Sequence, residues 1–554
     1  MHFILIATAL TLKVFPKFFR EKLFNIYIEN MNSNIKKQTV IKSSNILLSI
    51  ISGLLLTFSF PKFNLNWCAW FAIVPLMIST YNLTIKNRLY IGFLAGLINN
   101  ITLMYWIIYP LFSYGEYNIA SFFLLCIFYI YLSIYPGIFS VLFSYFCKNP
   151  IFGIFAIPAI WIDLEFVRSI LFSGFPWNFL GHSQINWTVI VQIADITGVY
   201  GISYLLVLVN FIIFLSILYF KQYPLNGGRI HKNTFLFVSF YGCIVLLSVF
   251  VYGKYRINYI NSQVAESKRK NIAIIQGNID KGQKWDLRFI LNTTQTYLSL
   301  SQMSVKSKPD LIVWPETAMT FNLDSHPNLS KLFRKEIPKL KTFLLVGTPS
   351  MKKNESSIKY YNSAILMSPS SEIVGQYSKH HLVPFGEYVP LKKILFFVKK
   401  ITTGNDFSPA EFVAPMAWND DKIGVQICYE IVFPHLTRSL VKQGASVIIN
   451  ITNDAILGDT NAPYHHFAMA QFRAIENRRS LVRAANSGIS GFIDPIGNVV
   501  EKIDIFEKGY IVQGIPLTKI NSFYTEHGDI FVMLCAFIII LNYILFNKYT
   551  CFKN

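Results

Sequence analysis

The feature that most constrains this chain is a series of apolar runs separated by short polar loops. A helix that crosses the hydrocarbon core of a bilayer needs about 20 mostly apolar residues. Seven apolar runs precede residue 254, at 45–60, 67–81, 89–111, 118–146, 151–167, 188–219 and 234–253, and an eighth lies at 529–546; the first two and the fifth are shorter than a full crossing. The pattern predicts a polytopic α-helical membrane protein with about eight transmembrane helices.

The composition supports a membrane protein and argues against nucleic-acid binding. Charged residues make up only 14% of the 554 residues, whereas soluble proteins carry about 25%. The net charge is +20, but the Lys and Arg are scattered and form no basic stripe interleaved with aromatic residues. We therefore expect the membrane, and not a nucleic acid, as a partner.

The loops between the runs indicate the orientation of the chain. Lys and Arg recur in every second loop, whereas the loop 112–117 has Glu116 and neither Lys nor Arg. Basic loops stay in the cytoplasm. The domains expected from this rule are an unassigned cytoplasmic extension at 1–44, seven spans within 45–253, an extracytoplasmic domain at 254–528, a last span at 529–546 and a cytoplasmic tail at 547–554.

The long polar segment is predicted to be a layered α/β domain. Short β-rich runs recur through it, with helical stretches such as His465–Asn477 between them. The predicted strands are Ile272–Gln276, Leu311–Trp314, Thr342–Gly347, Ser363–Met367, Lys422–Ile427 and Ala445–Ile451.

Cys428 is the one cysteine of the seven in the chain that lies in this polar segment. It follows a strand pattern, Ile423–Ile427, and precedes Tyr429-Glu430. A thiol at a strand-to-helix turn would be exposed above the sheet, and the positive end of the helix would lower its pKa. The alternative is a buried structural cysteine, which is the common fate of a lone Cys.

Three further polar residues stand beside apolar, proline-containing segments. Glu316 directly follows the run Asp310–Pro315, and Lys379 and Glu387 flank the segment His380–Gly386. Each could equally be a solvated surface residue. His380 and His381 suggest zinc, but no third ligand stands at a suitable spacing. We therefore predict no metal and no soluble cofactor.

Taken together, Glu316, Lys379 and Cys428 fit acyl transfer, which needs a thiolate, a base to form it and a cation for the oxyanion. Their order and context resemble the nitrilase (carbon-nitrogen hydrolase) superfamily. With spans on both sides, the chain from 45 to 546 resembles the apolipoprotein N-acyltransferase family. The matching motifs are Phe175-Pro176-Trp177, Gln276-Gly277-Asn278, Trp314-Pro315-Glu316, His381–Glu387, Cys428-Tyr429-Glu430, Asn453-Asp454 and Arg483–Asn486. One departure is Ile456, where the family usually has Trp.

The resemblance implies an inserted nitrilase-like domain with an αββα sandwich. It implies that Glu316 is the base, Lys379 stabilises the oxyanion and Cys428 is the nucleophile, while Glu387, Tyr429 and Glu430 support them. The acyl donor would be a phospholipid, with phosphatidylethanolamine expected, and the acceptor a diacylglyceryl apolipoprotein. The location would be the bacterial inner membrane, with the catalytic domain on the periplasmic side.

Two alternatives differ in class from this reading. A membrane-tethered nitrilase-like amidase would use water as the second substrate. A transporter would use the intramembrane carboxylates Asp163, Glu165 and Asp195, which are candidates for function wherever they occur in a membrane.

Contacts with lipid are expected at Trp177 and in the segment 391–400. There, Phe396 and Phe397 lie in an apolar run that a pair of lysines brackets on each side. Such a segment suits a mobile arm that dips into the headgroup region. The alternative is an element of the domain core.

Overall fold

The computed structural model describes residues 40–113, 119–225, 228–280, 282, 287–353, 358–390, 392–393 and 406–553. The first part of the chain is helical. Its helices are α1 (Ser43–Phe58), α2 (Val74–Thr80), α3 (Ile85–Leu103), α4 (Ile108–Ser113), α5 (Ile119–Phe146), α6 (Pro150–Ile170), α7 (Thr188–Val191), α8 (Ala194–Thr197), α9 (Tyr200–Phe220) and α10 (Lys232–Ala265).

Four segments within the described ranges are long and apolar enough to cross a membrane: Ser121–Phe146, Pro150–Ser173, Tyr200–Phe220 and Lys232–Ala265. Other apolar runs form shorter helices. The run 67–81 becomes a 3₁₀ turn, Asn66–Trp70, followed by the seven-residue helix α2. A multi-helix membrane part is confirmed, whereas the count of eight crossings stays a prediction, as do the orientation and the domain limits.

Helix α10 connects the membrane part to the polar domain without a flexible loop. Its 34 residues correspond to about 51 Å at 1.5 Å per residue, well beyond the roughly 30 Å hydrocarbon core. The first strand begins four residues later, at Arg269. Arg256 on α10 also pairs with the buried Asp195 at 2.6 Å, and Asp195 pairs with the buried Arg478 of the polar domain at 2.8 Å. This three-residue joint fixes the domain against the helices.

The polar domain contains two six-stranded sheets. The first has the order β12-β1-β2-β3-β4-β5 and the second β11-β10-β9-β8-β7-β6. The strands are β1 (Arg269–Gln276), β2 (Leu311–Val313), β3 (Phe343–Lys353), β4 (Ile358–Met367), β5 (Ile373–Ser378), β6 (Met416–Trp418), β7 (Asp421–Ile427), β8 (Val447–Thr452), β9 (Ser480–Ala485), β10 (Ser490–Ile493), β11 (Val499–Ile503) and β12 (Gly509–Pro516). All six predicted strands are confirmed.

The central strands of each sheet are parallel, and they pair β1 with β2, β2 with β3, β7 with β8, and β8 with β9. Parallel strands are normally covered on both faces. Ile274 and Leu345 of the first sheet share one apolar core with Val425 and Ile449 of the second. The two sheets therefore pack face to face.

Helices cover the outer faces of both sheets. Helices α11 (Ile290–Ser304) and α12 (Pro327–Leu340) cover the first sheet, and α13 (Pro434–Lys442) and α14 (Ala462–Asn477) cover the second. The order of layers is αββα, as predicted. Two helices follow the sheets, α15 (Phe523–His527) and α16 (Ile530–Lys553), the latter containing the predicted last apolar run.

The layer formed by α13 and α14 also packs on the membrane part. Leu436 and Met469 of this layer lie in the same apolar core as Leu103 and Trp106 from the helical part. The second sheet is thus covered by helices that themselves contact the membrane helices, and the carboxyl end of β7 lies at this boundary.

Candidate active site

Glu316 enters the site from the end of β2. Trp314 donates its backbone N–H to Leu345 O at 2.8 Å, which extends the pairing of β2 with β3. The chain then crosses close to Gly347 of β3, where an added Cβ would lie only 2.7 Å from Glu316 Cα. A residue without a side chain is therefore required at this crossing. The carboxyl-bearing Glu316 is buried, with 7% of its surface exposed.

Lys379 follows β5 and is almost fully buried. Its Nζ lies 2.9 Å from Glu387 Oε1 and 3.9 Å from Glu316 Oε1. Burial opposes the charge of the ammonium group, but the electrostatic effects of Glu387, Cys428 and Glu316 outweigh it, so the pKa of Lys379 is raised above its ordinary value. The lysine is a fixed cation between two carboxylates.

Asn362 on β4 is a site residue that the sequence reasoning missed. Its Nδ2 donates to Glu316 Oε1 at 2.7 Å and to Glu387 Oε1 at 3.0 Å, so one amide joins both carboxylates. Glu387 is also held by its own loop, because its Oε2 accepts the N–H of Val383 at 2.8 Å. These bonds fix the positions of both carboxylates relative to the lysine. No local motif marks an asparagine within a strand as part of a site.

Cys428 directly follows β7 and begins the 3₁₀ turn Cys428–Val432. Its φ is +54°, a left-handed conformation that costs a residue with a side chain of order 1–3 kcal/mol. Backbone strain of this kind is common at functional sites. The left-handed conformation also turns the Cys428 side chain away from the direction that it would take in a continued strand. The predicted strand-to-helix position is confirmed, with a 3₁₀ turn in place of the expected helix start.

The expected lowering of the thiol pKa is wrong. Burial and the carboxylate of Glu316 raise the pKa of Cys428 to about 12, although Lys379 works in the opposite direction. The helix α13 begins only at Pro434, after the short turn, and burial outweighs any effect of a helix end. The resting thiol is therefore protonated at neutral pH and needs a base.

Glu430 acts through the backbone around the site. It is fully buried and accepts hydrogen bonds from the N–H groups of Ile427, His380 and His381 at 2.7–3.1 Å, and from Tyr377 OH. It thereby ties the segment after Lys379 to the turn that carries the thiol. The predicted supporting role is compatible with this geometry, since Glu430 joins the two strand ends.

Trp177 brings the membrane part to the thiol turn. Its ring stacks on Tyr429, with centroids 6.3 Å apart and planes 20° apart, and lies 5.5 Å from the ring of His466. It is 2% exposed. Trp177 thus forms a wall next to the nucleophile. Ile456, at the position where the family usually has Trp, packs at the edge of the same core.

Other predicted positions give less information. Phe396 and Phe397 lie outside the described residues, so the predicted lipid-contacting arm stays a prediction. His381 packs on Phe433, with ring centroids 3.8 Å apart, and burial lowers its pKa to about 4. Among the described residues, no group of three or more His, Cys, Asp or Glu side chains could hold a metal ion.

Cys428 has a left-handed backbone and interacts electrostatically with the buried Lys379 and with Glu316, and all three residues lie on the αββα domain. The carbon-nitrogen hydrolase family model matches residues 271–524, and the model of the apolipoprotein N-acyltransferase N-terminal domain matches residues 52–212. Both parts of the chain therefore have recognised relatives.

Curated relatives extend over both parts. An apolipoprotein N-acyltransferase of Geobacter metallireducens is 37% identical, covering 88% of this chain and 93% of its own length. One of Wigglesworthia glossinidia brevipalpis is 32% identical over 89% of this chain and 97% of its length. The chain belongs to the apolipoprotein N-acyltransferase family. With its long apolar helices, it is a bacterial membrane protein.

Proposed function

We propose that this enzyme transfers a fatty acyl chain from a membrane phospholipid, through a thioester on Cys428, to the α-amino group of a diacylglyceryl-cysteine at the N-terminus of an apolipoprotein. Phosphatidylethanolamine is the proposed donor, and the periplasmic face of the inner membrane the proposed location. The family supports the reaction. One observation supports the roles proposed for the residues. Lys379 forms ion pairs with Glu316 and Glu387, and both Lys379 and Glu316 interact electrostatically with Cys428.

The first half-reaction forms the thioester. Glu316 accepts the thiol proton, and the sulfur of Cys428 attacks the ester carbonyl carbon of the lipid. Lys379 stabilises the negative charge that develops on the carbonyl oxygen. When the intermediate collapses, the ester C–O bond breaks, and the leaving alkoxide of the lysophospholipid takes the proton from Glu316.

The second half-reaction forms the amide. The neutral α-amine of the acceptor attacks the thioester carbonyl, and Glu316 removes a proton from the nitrogen. Collapse of this intermediate releases the sulfur of Cys428, which takes the proton back. Lys379 again stabilises the oxyanion. Glu387 keeps Lys379 in place throughout, since its Oε1 lies 2.9 Å from Nζ.

The surroundings of the thiol favour an amine over water as the second substrate. Tyr429, Trp177 and Phe433 form an apolar wall beside the turn, and residues of the membrane helices pack behind it. Limited access of water protects a thioester from hydrolysis. This feature supports acyl transfer over the amidase alternative.

The test is intact-mass analysis after incubation with phosphatidylethanolamine in mixed micelles. We expect one acyl adduct, which is absent in Cys428→Ser and retained in Cys243→Ser, because Cys243 is an exposed cysteine on α10. A diacylglyceryl peptide with a free α-amine should then discharge the adduct. If buffer alone discharged the adduct at the same rate, the second step would be hydrolysis and not transfer. If the wild-type enzyme formed no adduct, the thioester intermediate would be refuted.

A further inference from the structure

The backbone carbonyl of Cys428 is bound by a histidine that the proposed mechanism does not use. His466 Nε2 lies 3.1 Å from Cys428 O, and Asn450 Nδ2 is a weaker donor to the same oxygen, at 3.4 Å. His466 lies on α14 and is 2% exposed. A carbonyl oxygen only accepts hydrogen bonds, so His466 must carry its proton on Nε2.

The other ring nitrogen, Nδ1, lies between a donor and an acceptor: Arg483 Nη2, which can only donate, is at 2.9 Å, and the carboxylate oxygen Asp454 Oδ1 is at 3.2 Å. The closer contact is the one from Arg483, which suits an unprotonated Nδ1 and therefore a proton on Nε2. Arg483 is itself held by Asp454, at 2.7 Å, and Asp454 accepts the Thr452 hydroxyl at 2.9 Å. Burial lowers the pKa of His466, which keeps the ring neutral. A buried chain of charges and hydrogen bonds thus fixes the ring plane, with Nε2 directed at the Cys428 carbonyl.

The ring cannot rotate away from this position without losing contacts. Trp177 lies against it at 5.5 Å, and the same tryptophan stacks on Tyr429. His466 therefore contacts Trp177 on its ring face, Arg483 at one nitrogen and the Cys428 carbonyl at the other.

Holding this carbonyl also orients the next N–H. In a trans peptide the C=O and N–H bonds point in opposite directions, so the N–H of Tyr429 points away from His466. The first N–H groups of a helical turn have no partner within the turn. Because Cys428 has a left-handed φ of +54°, the peptide needs an external support to keep this orientation.

We propose that His466 is a positioning residue: it holds the Cys428–Tyr429 peptide so that the Tyr429 N–H joins Lys379 Nζ as a donor to the oxyanion. This inference rests on the proposed acyl transfer. It concerns the attacked carbonyl oxygen of the substrate and not the reactivity of the thiol, and this difference makes it testable.

The experiment compares His466→Asn with His466→Gln. The amide nitrogen of Gln reaches the place of Nε2, whereas the shorter Asn side chain reaches only that of Nδ1. Two rates are measured: acyl-enzyme formation with phosphatidylethanolamine in single-turnover experiments, and alkylation of Cys428 by iodoacetamide, which requires no oxyanion donor. The control is His465→Asn, since His465 is equally buried on the same helix but contacts Pro61 O and Asn178.

We expect His466→Asn to slow acyl-enzyme formation roughly 10- to 100-fold, the size of effect that a misplaced donor group produces. Alkylation should stay within about threefold of wild type, because the thiol and its base are retained. His466→Gln should recover most of the acylation rate, and His465→Asn should keep the wild-type rate constant per folded enzyme. If His466→Asn does not fold, Asn450→Ser, which removes the weaker donor, should show a smaller loss of the same kind.

Three results would overturn the inference: a wild-type acylation rate in His466→Asn, an equal loss in His465→Asn, or a parallel fall of acylation and alkylation. The last result would place the effect on the thiol. If the wild-type enzyme itself forms no acyl adduct while Cys428 still alkylates, the proposed function fails, and the inference that rests on it fails for that separate reason.

Discussion

Replacing Glu316 by Gln should separate two effects that one carboxylate has on Cys428. As a base, Glu316 takes the thiol proton, so its loss should slow acyl-enzyme formation. As a negative charge, it raises the pKa of the thiol, so its loss should lower that pKa. We therefore expect a variant whose thiol ionises more easily and yet reacts more slowly with lipid.

The magnitude follows from the position of the thiol. A rise of the Cys428 pKa from 9.0 to about 12 corresponds to about 4 kcal/mol against the thiolate, at 1.36 kcal/mol per pKa unit. An unassisted thiol of this pKa is almost entirely protonated at neutral pH. General-base catalysis contributes about 10²- to 10⁴-fold, which is the expected loss of acylation rate in Glu316→Gln.

The assay records the alkylation rate of Cys428 from neutral to alkaline pH, with mass spectrometry of its peptide to exclude the other cysteines. The rate rises as the thiolate forms, so the midpoint should move to lower pH in Glu316→Gln. It should move to higher pH in Lys379→Met, because Lys379 lowers the thiol pKa. An unchanged or higher midpoint in Glu316→Gln would refute the electrostatic argument, and a wild-type acylation rate would move the role of base to another residue.

Two further predictions concern the supports of the site. Glu430→Gln places an NH₂ group against the N–H donors that now meet a carboxylate. It should lower the free energy of unfolding by about 2–4 kcal/mol, measured by thermal unfolding followed by tryptophan fluorescence; wild-type stability would contradict the role. Asp195→Asn leaves the half-buried Arg256 and the buried Arg478 without their shared carboxylate. It should cost about 3–5 kcal/mol and increase proteolysis between the helices and the polar domain, whereas an unchanged digestion pattern would refute the joint.

The strands and the residues at their ends could be predicted because their signals are local. Runs such as Leu311–Trp314 are continuous, apolar and rich in branched side chains, as buried parallel strands are. The residues after them, Glu316 and Cys428, follow from the rule that strand ends carry sites. The layer order came from a resemblance and not from periodicity, since pairing between distant strands leaves no local pattern.

The parts that could not be predicted depend on tertiary contacts. Asn362 lies within β4, where nothing in the sequence distinguishes it from its neighbours, and its role appears only when two carboxylates meet it. The sign of the Cys428 pKa shift depends on the balance between burial and neighbouring charges, which a strand-to-turn pattern does not contain. The run 188–219 reads as one apolar segment but is divided into three helices, with Gly198 at a φ of +63° before the last.

The position of Trp177 connects the architecture to the chemistry. A free-standing hydrolase domain would expose the outer face of the helix layer formed by α13 and α14, and water could then approach the turn after β7 from that side. Here that layer shares one apolar core with the membrane helices, and Trp177 lies between them against Tyr429 and His466. The same contact that fixes the domain on the membrane part therefore also shields the nucleophile turn. A thioester formed on Cys428 is protected from water because the residues around it belong to the contact between the domain and the membrane helices. Substitutions that loosen this contact should therefore increase hydrolysis relative to transfer before they unfold the domain.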